Sequence, residues 1–291
     1  MVASGYAGRR FSSIEVLSNE SSMSNKELAE LPNGIYGGPT LFRNGDNLHL
    51  CGGNNNENKC FMNENDSWKE HSTLNVGRTD ASAVTTADGT FIFGGDDFPG
   101  REAFEFLPKN SKEWQEGRTK IPDGFRRGCA VKVPDNQEIL LIGGKGTLSR
   151  ILKFDIKTQT FEEMAVRLIK GRRLHACARL PDTNQIVITG GWDSILTEQD
   201  TSEILNLQDN TITRGNPMNT KRFSHGMAVI TIDNEDRLAV FGGQDGNGDY
   251  LDSVETLNPR TKKWEISDLK LEKAKENFGY ISLPNDFISK L

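Results

Sequence analysis

Ser82-Ala83-Val84, a turn at Asp88-Gly89, Thr90-Phe91-Ile92-Phe93 running into Gly94-Gly95, then Ala103-Phe104-Glu105-Phe106-Leu107 and Trp114: this stretch decides the fold. Asp88-Gly89 supplies the positive φ of a tight hairpin, so the runs on either side of it pair antiparallel. The apolar run 90–93 is short and β-rich, which is the pattern of a buried strand. A third strand follows the polar loop after the doublet, and the large apolar residue Trp114 marks a fourth. The pattern then repeats in both directions along the chain. Doublets stand at Gly52-Gly53, Gly94-Gly95, Gly143-Gly144, Gly190-Gly191 and Gly242-Gly243, spaced by 42, 49, 47 and 52 residues. Each closes a β-rich run: Leu48-His49-Leu50-Cys51, Ile139-Leu140-Leu141-Ile142, Ile186-Val187-Ile188-Thr189 and Leu238-Ala239-Val240-Phe241 in the other four units. Trp68, Phe161, Ile212 and Trp264 occupy the place of Trp114. With 291 residues the chain holds about six such periods, which is a repeat count and not a domain count.

Composition narrows the class further. The chain is 35% hydrophobic and 26% charged, and no apolar run approaches the ~18 residues of a membrane helix. Its net charge is −6, so general attraction to nucleic-acid phosphates is not expected. Four cysteines are too few for a disulfide scaffold, so a hydrophobic core must hold the fold. Met1-Val2-Ala3-Ser4 begins like a strand, and no basic-then-apolar leader is visible.

Strand, Gly-Gly, third strand and a Trp 16 to 22 residues beyond the doublet resemble the kelch repeat, and the resemblance covers nearly the whole chain. Phe161 and Ile212 depart from it where Trp is usual. It implies an all-β, six-bladed propeller with four antiparallel strands per blade, one domain over 1–291. Gly52, Gly53, Gly94, Gly95, Gly143, Gly144, Gly190, Gly191, Gly242 and Gly243, with Trp68, Trp114 and Trp264, are its structural residues. Ser4-Gly5 reads as a degraded sixth doublet, with Leu28 as the counterpart of the outer Trp. Phe278-Gly279-Tyr280-Ile281 matches a first strand, so the two ends are expected to share a blade and close the ring. Gly37-Gly38 is out of phase and lies where an inner strand begins.

In a four-stranded antiparallel blade, the loop after the second strand and the loop to the next blade emerge on one face. The blade-to-blade loops are basic, and the loops after the doublets are mainly acidic, with Asp96, Asp97, Asp193, Asp245 and Asp249 among them. Arg78, Arg126, Arg127, Arg172, Arg173 and Arg222 precede the innermost strands and are expected near the mouth of the central channel. Their guanidinium forks suit a carboxylate-rich peptide, as in kelch adaptors of ubiquitin ligases. Taken singly, each is also a candidate framework residue bonded to carbonyls or to a nearby acid. The first unit has Ile35-Tyr36-Gly37-Gly38-Pro39 instead, leaving the basic ring open on one side. Trp192 and Tyr250 fall in loops of this face and are candidate binding anchors.

Kelch propellers also include copper oxidases of the galactose oxidase type, which need two Tyr, two His and a Cys joined to one Tyr. Here His175 and His225 begin comparable inner strands, an incomplete set for a catalytic metal, and no GxSxG, HExxH, P-loop or EF-hand motif occurs. The expectation is therefore a non-catalytic scaffold with no cofactor and no metal, monomeric as a domain, binding a protein or acidic peptide. A carbohydrate-acting propeller enzyme and the substrate-recognition part of a ubiquitin-ligase adaptor are the alternatives. Cys51 and Cys60 can bridge adjacent strands, whereas Cys129 and Cys177 differ in strand parity and are not expected to pair. The Cys51 and Cys60 pair, with sequons at Asn19 and Asn65, favours an extracellular over a cytoplasmic location.

Overall fold

The computed structural model describes residues 2–3, 5–8, 14–17, 31, 35–54, 57–64, 67–96, 100–134, 136–283 and 287. Ser4, Asn19, Leu28, Asn65 and Asp97 lie outside them. The chain begins with two short strands, β1 (Val2–Ala3) and β2 (Ile14–Glu15). Five meanders follow. They are β3 (Thr40–Asn44), β4 (Asn47–Cys51), β5 (Lys59–Glu64) and β6 (Ser67–Thr73); then β7 (Ser82–Thr85), β8 (Gly89–Phe93), β9 (Phe104–Pro108) and β10 (Gln115–Glu116). The third is β11 (Cys129–Lys132), β12 (Glu138–Ile142), β13 (Ile151–Asp155) and β14 (Thr160–Glu163). The fourth is β15 (Ala176–Arg179), β16 (Gln185–Thr189), β17 (Ser202–Asn206) and β18 (Thr211–Arg214). The fifth is β19 (Gly226–Ile232), β20 (Glu235–Phe241), β21 (Ser253–Leu257) and β22 (Trp264–Lys270), and β23 (Gly279–Tyr280) ends the series.

Each meander is a four-stranded antiparallel sheet in sequence order. The second strands are the most deeply buried, because each is covered by a blade on either side: all five residues of β8 are buried, and Ile139, Leu140, Leu141 and Ile142 are at most 1% exposed. The core therefore lies between blades. Phe91, Phe93 and Phe104 of the second blade pack against Phe154 of the third, with the Phe104 and Phe154 rings 4.9 Å apart. Trp68 and Trp264 are buried on the outer strands and Trp114 directly before one, and Trp114 Nε1 donates to Ser72 Oγ of the preceding blade. All ten doublet glycines have positive φ. A Cβ on Gly94 would collide with the Phe125 carbonyl of the next inter-blade loop, so this close approach needs glycine as well as its backbone freedom.

Six four-stranded blades were expected; among the described residues five sheets have four strands. The two ends of the chain form a three-stranded sheet in the order β2-β1-β23, with Val2 opposite Glu15 and Tyr280. The N-terminal segment supplies its second and third strands and the C-terminal segment its innermost one. The outer strand expected near Leu28 falls among residues that are not described. Innermost strands touch in the cyclic order β3, β7, β11, β15, β19, β23 and back to β3, so the terminal sheet stands between the fifth blade and the first.

Both cysteine pairs are bonded, Cys51 to Cys60 and Cys129 to Cys177. Cys51 and Cys60 are direct cross-strand partners on β4 and β5. The second bond corrects the expectation drawn from strand parity, and the reason is geometric. Equal parity places two side chains on the same face of one sheet. Cys129 and Cys177 lie on different sheets, β11 and β15, that pack face to face. A side chain on the forward face of one blade meets a side chain on the rear face of the next, which requires opposite parity. Their Cα atoms are 5.9 Å apart.

Candidate binding face at the channel mouth

One residue before each innermost strand adopts the left-handed conformation: Gly38, Asp80, Arg127, Leu174, Ser224 and Asn277, with φ between 51° and 71°. Their backbones form a closed cycle of hydrogen bonds. Each N–H donates to the carbonyl of the corresponding residue in the preceding unit: Asp80 to Gly38, Arg127 to Asp80, Leu174 to Arg127, Ser224 to Leu174, Asn277 to Ser224 and Gly38 to Asn277, at 2.7–3.4 Å. Gly38 thus has a defined role, because a Cβ there would collide with the Asp80 carboxylate and amide. Five side-chain-bearing residues held in this sparsely populated region mark a place where the fold over-determines the backbone. The cycle frames the channel mouth, above a cavity of about 240 Å³ lined by Asp80, Arg127, His175, His225, Asn277 and Tyr280 among others.

The six candidate arginines divide into two groups. Arg78, Arg172 and Arg222 are at most 1% exposed, so the expectation that they line the mouth is corrected. They point sideways between blades. Arg78 Nη1 donates to the Gly94, Gly100 and Ala103 carbonyls while Nη2 pairs with Glu105 at 2.9 Å. Arg172 pairs with Glu203 at 2.6 Å and Arg222 with Glu255 at 2.9 Å. Lys275 does the same with Glu15 of the terminal sheet. Each of these glutamates also accepts at least one backbone N–H from the loop that carries its partner, as Glu255 does from Asn219 and Thr220. The two remaining junctions are apolar at both places: Ile35 with Phe61, and Phe125 with Leu152, all buried. Sequence reasoning missed this pairing, although its signal was present: at the third-strand position of Glu15, Glu105, Glu203 and Glu255, glutamate occurs only where the loop packed against it carries Arg or Lys.

Arg126, Arg127 and Arg173 do reach the mouth. Arg127 pairs with Asp80 at 3.1 Å and Asp96 at 2.7 Å, and Arg126 pairs with Asp96 at 3.1 Å. Arg173 has no carboxylate within ion-pair distance among the described residues; its guanidinium lies 5.4 Å from the Trp192 ring centroid and its Nε is buried without an acceptor. Burial lowers the Arg173 pKa, and the neighbouring charges of Arg127 and Arg126 lower it further. Trp192 is half-buried against Phe223, ring centroids 4.6 Å apart, so it is both a packing residue and a platform for Arg173. Just beyond it Ile195 and Leu196 are 79% and 56% exposed. Tyr250 is half-buried against Tyr6, away from the arginines.

The acidic loops after the doublets mostly serve their own turns. Asp193 Oδ1 accepts the N–H groups of Ile195 and Thr197, and Asp245 Oδ1 those of Asn247 and Asp249. Among the described residues no group of three or more His, Cys, Asp or Glu is arranged to hold a metal ion. His175 and His225 face the cavity from adjacent blades, but neither bonds a Tyr or a carboxylate; His225 Nε2 lies 3.0 Å from Thr189 Oγ1. Burial, with the nearby Arg172 charge, depresses the His175 pKa to about 3, which keeps the ring neutral.

A model of the kelch motif matches residues 236–266, from the second strand of the fifth blade to the start of its fourth. The chain is thus a β-propeller with a kelch motif in its fifth blade. A solved structure titled "Structure of YjhT" is similar to it with a TM-score of 0.71, covering 86% of this chain and 88% of that one at 12% identity. At that identity the likeness extends to the fold alone. No curated protein sequence matches this chain. Among its described residues no helix is long and apolar enough to cross a membrane.

Proposed function

We propose that this propeller is a non-catalytic scaffold, one domain over 1–291, whose channel-mouth face binds an acidic protein segment. The observation that carries the reading is Arg173, a guanidinium on an aromatic platform with a buried, unsatisfied Nε and no ion-pair partner among the described residues. A guanidinium with no carboxylate partner can take a ligand carboxylate, and a charge-assisted hydrogen bond of that kind contributes about 1.5–3 kcal/mol. Arg126 and Arg127 extend the basic surface, and the exposed Ile195 and Leu196 give it the apolar contact that interface centres use. The ligand expected is thus a short segment with carboxylates beside aliphatic side chains. What supports a non-catalytic reading is the isolation of His175 and His225 from any acid–base partner among the described residues. The two disulfides are compatible with an oxidising, extracellular setting.

Selection from a displayed random-peptide library tests the proposal. The wild-type protein is expected to enrich peptides rich in Asp and Glu next to Leu or Ile, with binding that weakens as salt rises. Arg173→Ala should reduce the affinity of an enriched peptide by tenfold or more at an unchanged melting temperature. Enrichment without acidic residues, or full retention by Arg173→Ala and Ile195→Asp, would overturn it.

A further inference from the structure

Across the mouth from the arginines, the same face changes character. Tyr6, Tyr36 and Tyr250 come together from the terminal sheet, the loop before β3 and the loop after the fifth doublet. The Tyr6 ring centroid is 6.3 Å from that of Tyr36 and 6.1 Å from that of Tyr250, with planes inclined by 32° and 80°. Tyr6, Tyr36, Asn54 and Glu276 line an open hollow of about 480 Å³. Its frame is rigid: Tyr6 and Glu276 exchange two backbone hydrogen bonds of 3.0 Å, and Asn54 N–H donates to the Tyr36 carbonyl at 2.8 Å. Glu276 is half-buried and has no Lys or Arg within ion-pair distance among the described residues. The hollow thus combines the rings of two tyrosines, one carboxyl group and, among the described residues, no cation paired with it.

That combination selects for a particular chemistry. Aromatic faces attract cations through the ring quadrupole within about 6 Å of the centroid, and a quaternary ammonium is suited to it because its methyl groups lose little hydration on entry. A carboxylate at the rim adds charge without filling the space. We propose that the hollow lined by Tyr6, Tyr36 and Glu276, with Tyr250 packed behind Tyr6, binds a methylated ammonium group, such as the head of choline or the side chain of trimethyl-lysine. The proposal does not rest on the acidic-peptide reading, which concerns the opposite side of the mouth.

Proton linkage gives it a signature. Burial raises the Glu276 pKa to about 7; Asp80 raises it as well, while a hydrogen bond from Ser224 and the charge of Arg127 act in the other direction. A bound cation favours the ionised form, so binding releases a proton and affinity increases as pH rises from 6 to 8.

Calorimetric titration of the full chain tests this with choline, a trimethyl-lysine peptide and the uncharged isostere 3,3-dimethylbutan-1-ol. Saturable binding of a cation at least tenfold tighter than the isostere is expected, with affinity rising several-fold between pH 6 and pH 8. Glu276→Gln should flatten that pH dependence, Tyr6→Ala should weaken binding tenfold or more, and Tyr6→Phe should retain it. Tighter binding of the peptide than of choline assigns the site to a protein ligand, and the reverse to a small molecule. Equal binding of the isostere, the absence of saturable binding by either cation at pH 8, or unchanged affinity in a folded Tyr6→Ala protein would overturn the proposal. Arg173→Ala should leave all these values unchanged, which separates this site from the basic one.

Discussion

Arg172 and Arg173 are adjacent in the chain and have opposite fates. Arg172 is fully buried against Glu203; Arg173 stands over Trp192 at the channel mouth. In extended backbone, successive side chains point to opposite sides, so one residue of such a pair enters the blade junction and the other faces the mouth. Composition cannot tell them apart, because both positions accept arginine. What distinguishes the buried one is its partner on the third strand. A buried ion pair often contributes little relative to a well-packed apolar pair, yet removing one partner is costly. Arg222→Ala should therefore destabilise the protein by about 3–5 kcal/mol in chemical denaturation, because Glu255 would keep a buried charge. The double change Arg222→Phe with Glu255→Leu, copying the Phe125 and Leu152 junction, should cost clearly less than the single change. A double mutant as unstable as the single would show that the pair is not the unit of the junction.

Within an element, the legible features were those that repeat. Second strands such as Ile139-Leu140-Leu141-Ile142 are covered on both faces, so their burial is written into residue type. The doublets were legible for the same kind of reason, since few residues other than glycine tolerate positive φ beside a neighbouring carbonyl. The Cys129 to Cys177 bond was not, because it joins β11 to β15 across an inter-blade gap for which strand alternation within a sheet gives the wrong rule. It closes a 48-residue loop against nine residues for Cys51 to Cys60. Loop-closure entropy then gives about 4 kcal/mol for the longer loop and about 2.6 for the shorter. Replacing Cys129 and Cys177 by serine should lower the melting temperature more than replacing Cys51 and Cys60, as measured by differential scanning calorimetry. Equal losses would indicate that the unfolded chain already holds β11 and β15 together.

For the molecule as a whole, the ring is closed by backbone contacts between distant parts of the chain. β23 pairs with β1, and Asn277 links Ser224 to Gly38 in the cycle at the mouth. Each blade buries its faces only against its neighbours, so opening the ring exposes two of them. Deleting residues 277–291 should cause a cooperative loss of stability, with amide exchange protection falling in β3 and β19 as well as in β1. Loss confined to β1, with unchanged melting of the rest, would refute that closure. The sequence by itself determined the period, the strands of each blade, the glycine doublets and the meeting of the two ends, because burial repeated at a fixed interval selects residue types locally. Only the tertiary structure decided the order β2-β1-β23 of the sheet that the two ends share, which arginine of each pair faces the mouth, that Cys129 meets Cys177, and that Tyr6, Tyr36 and Tyr250 converge. Those outcomes depend on how one blade is rotated against the next and on where loops from distant units end, and neither is encoded within a single repeat.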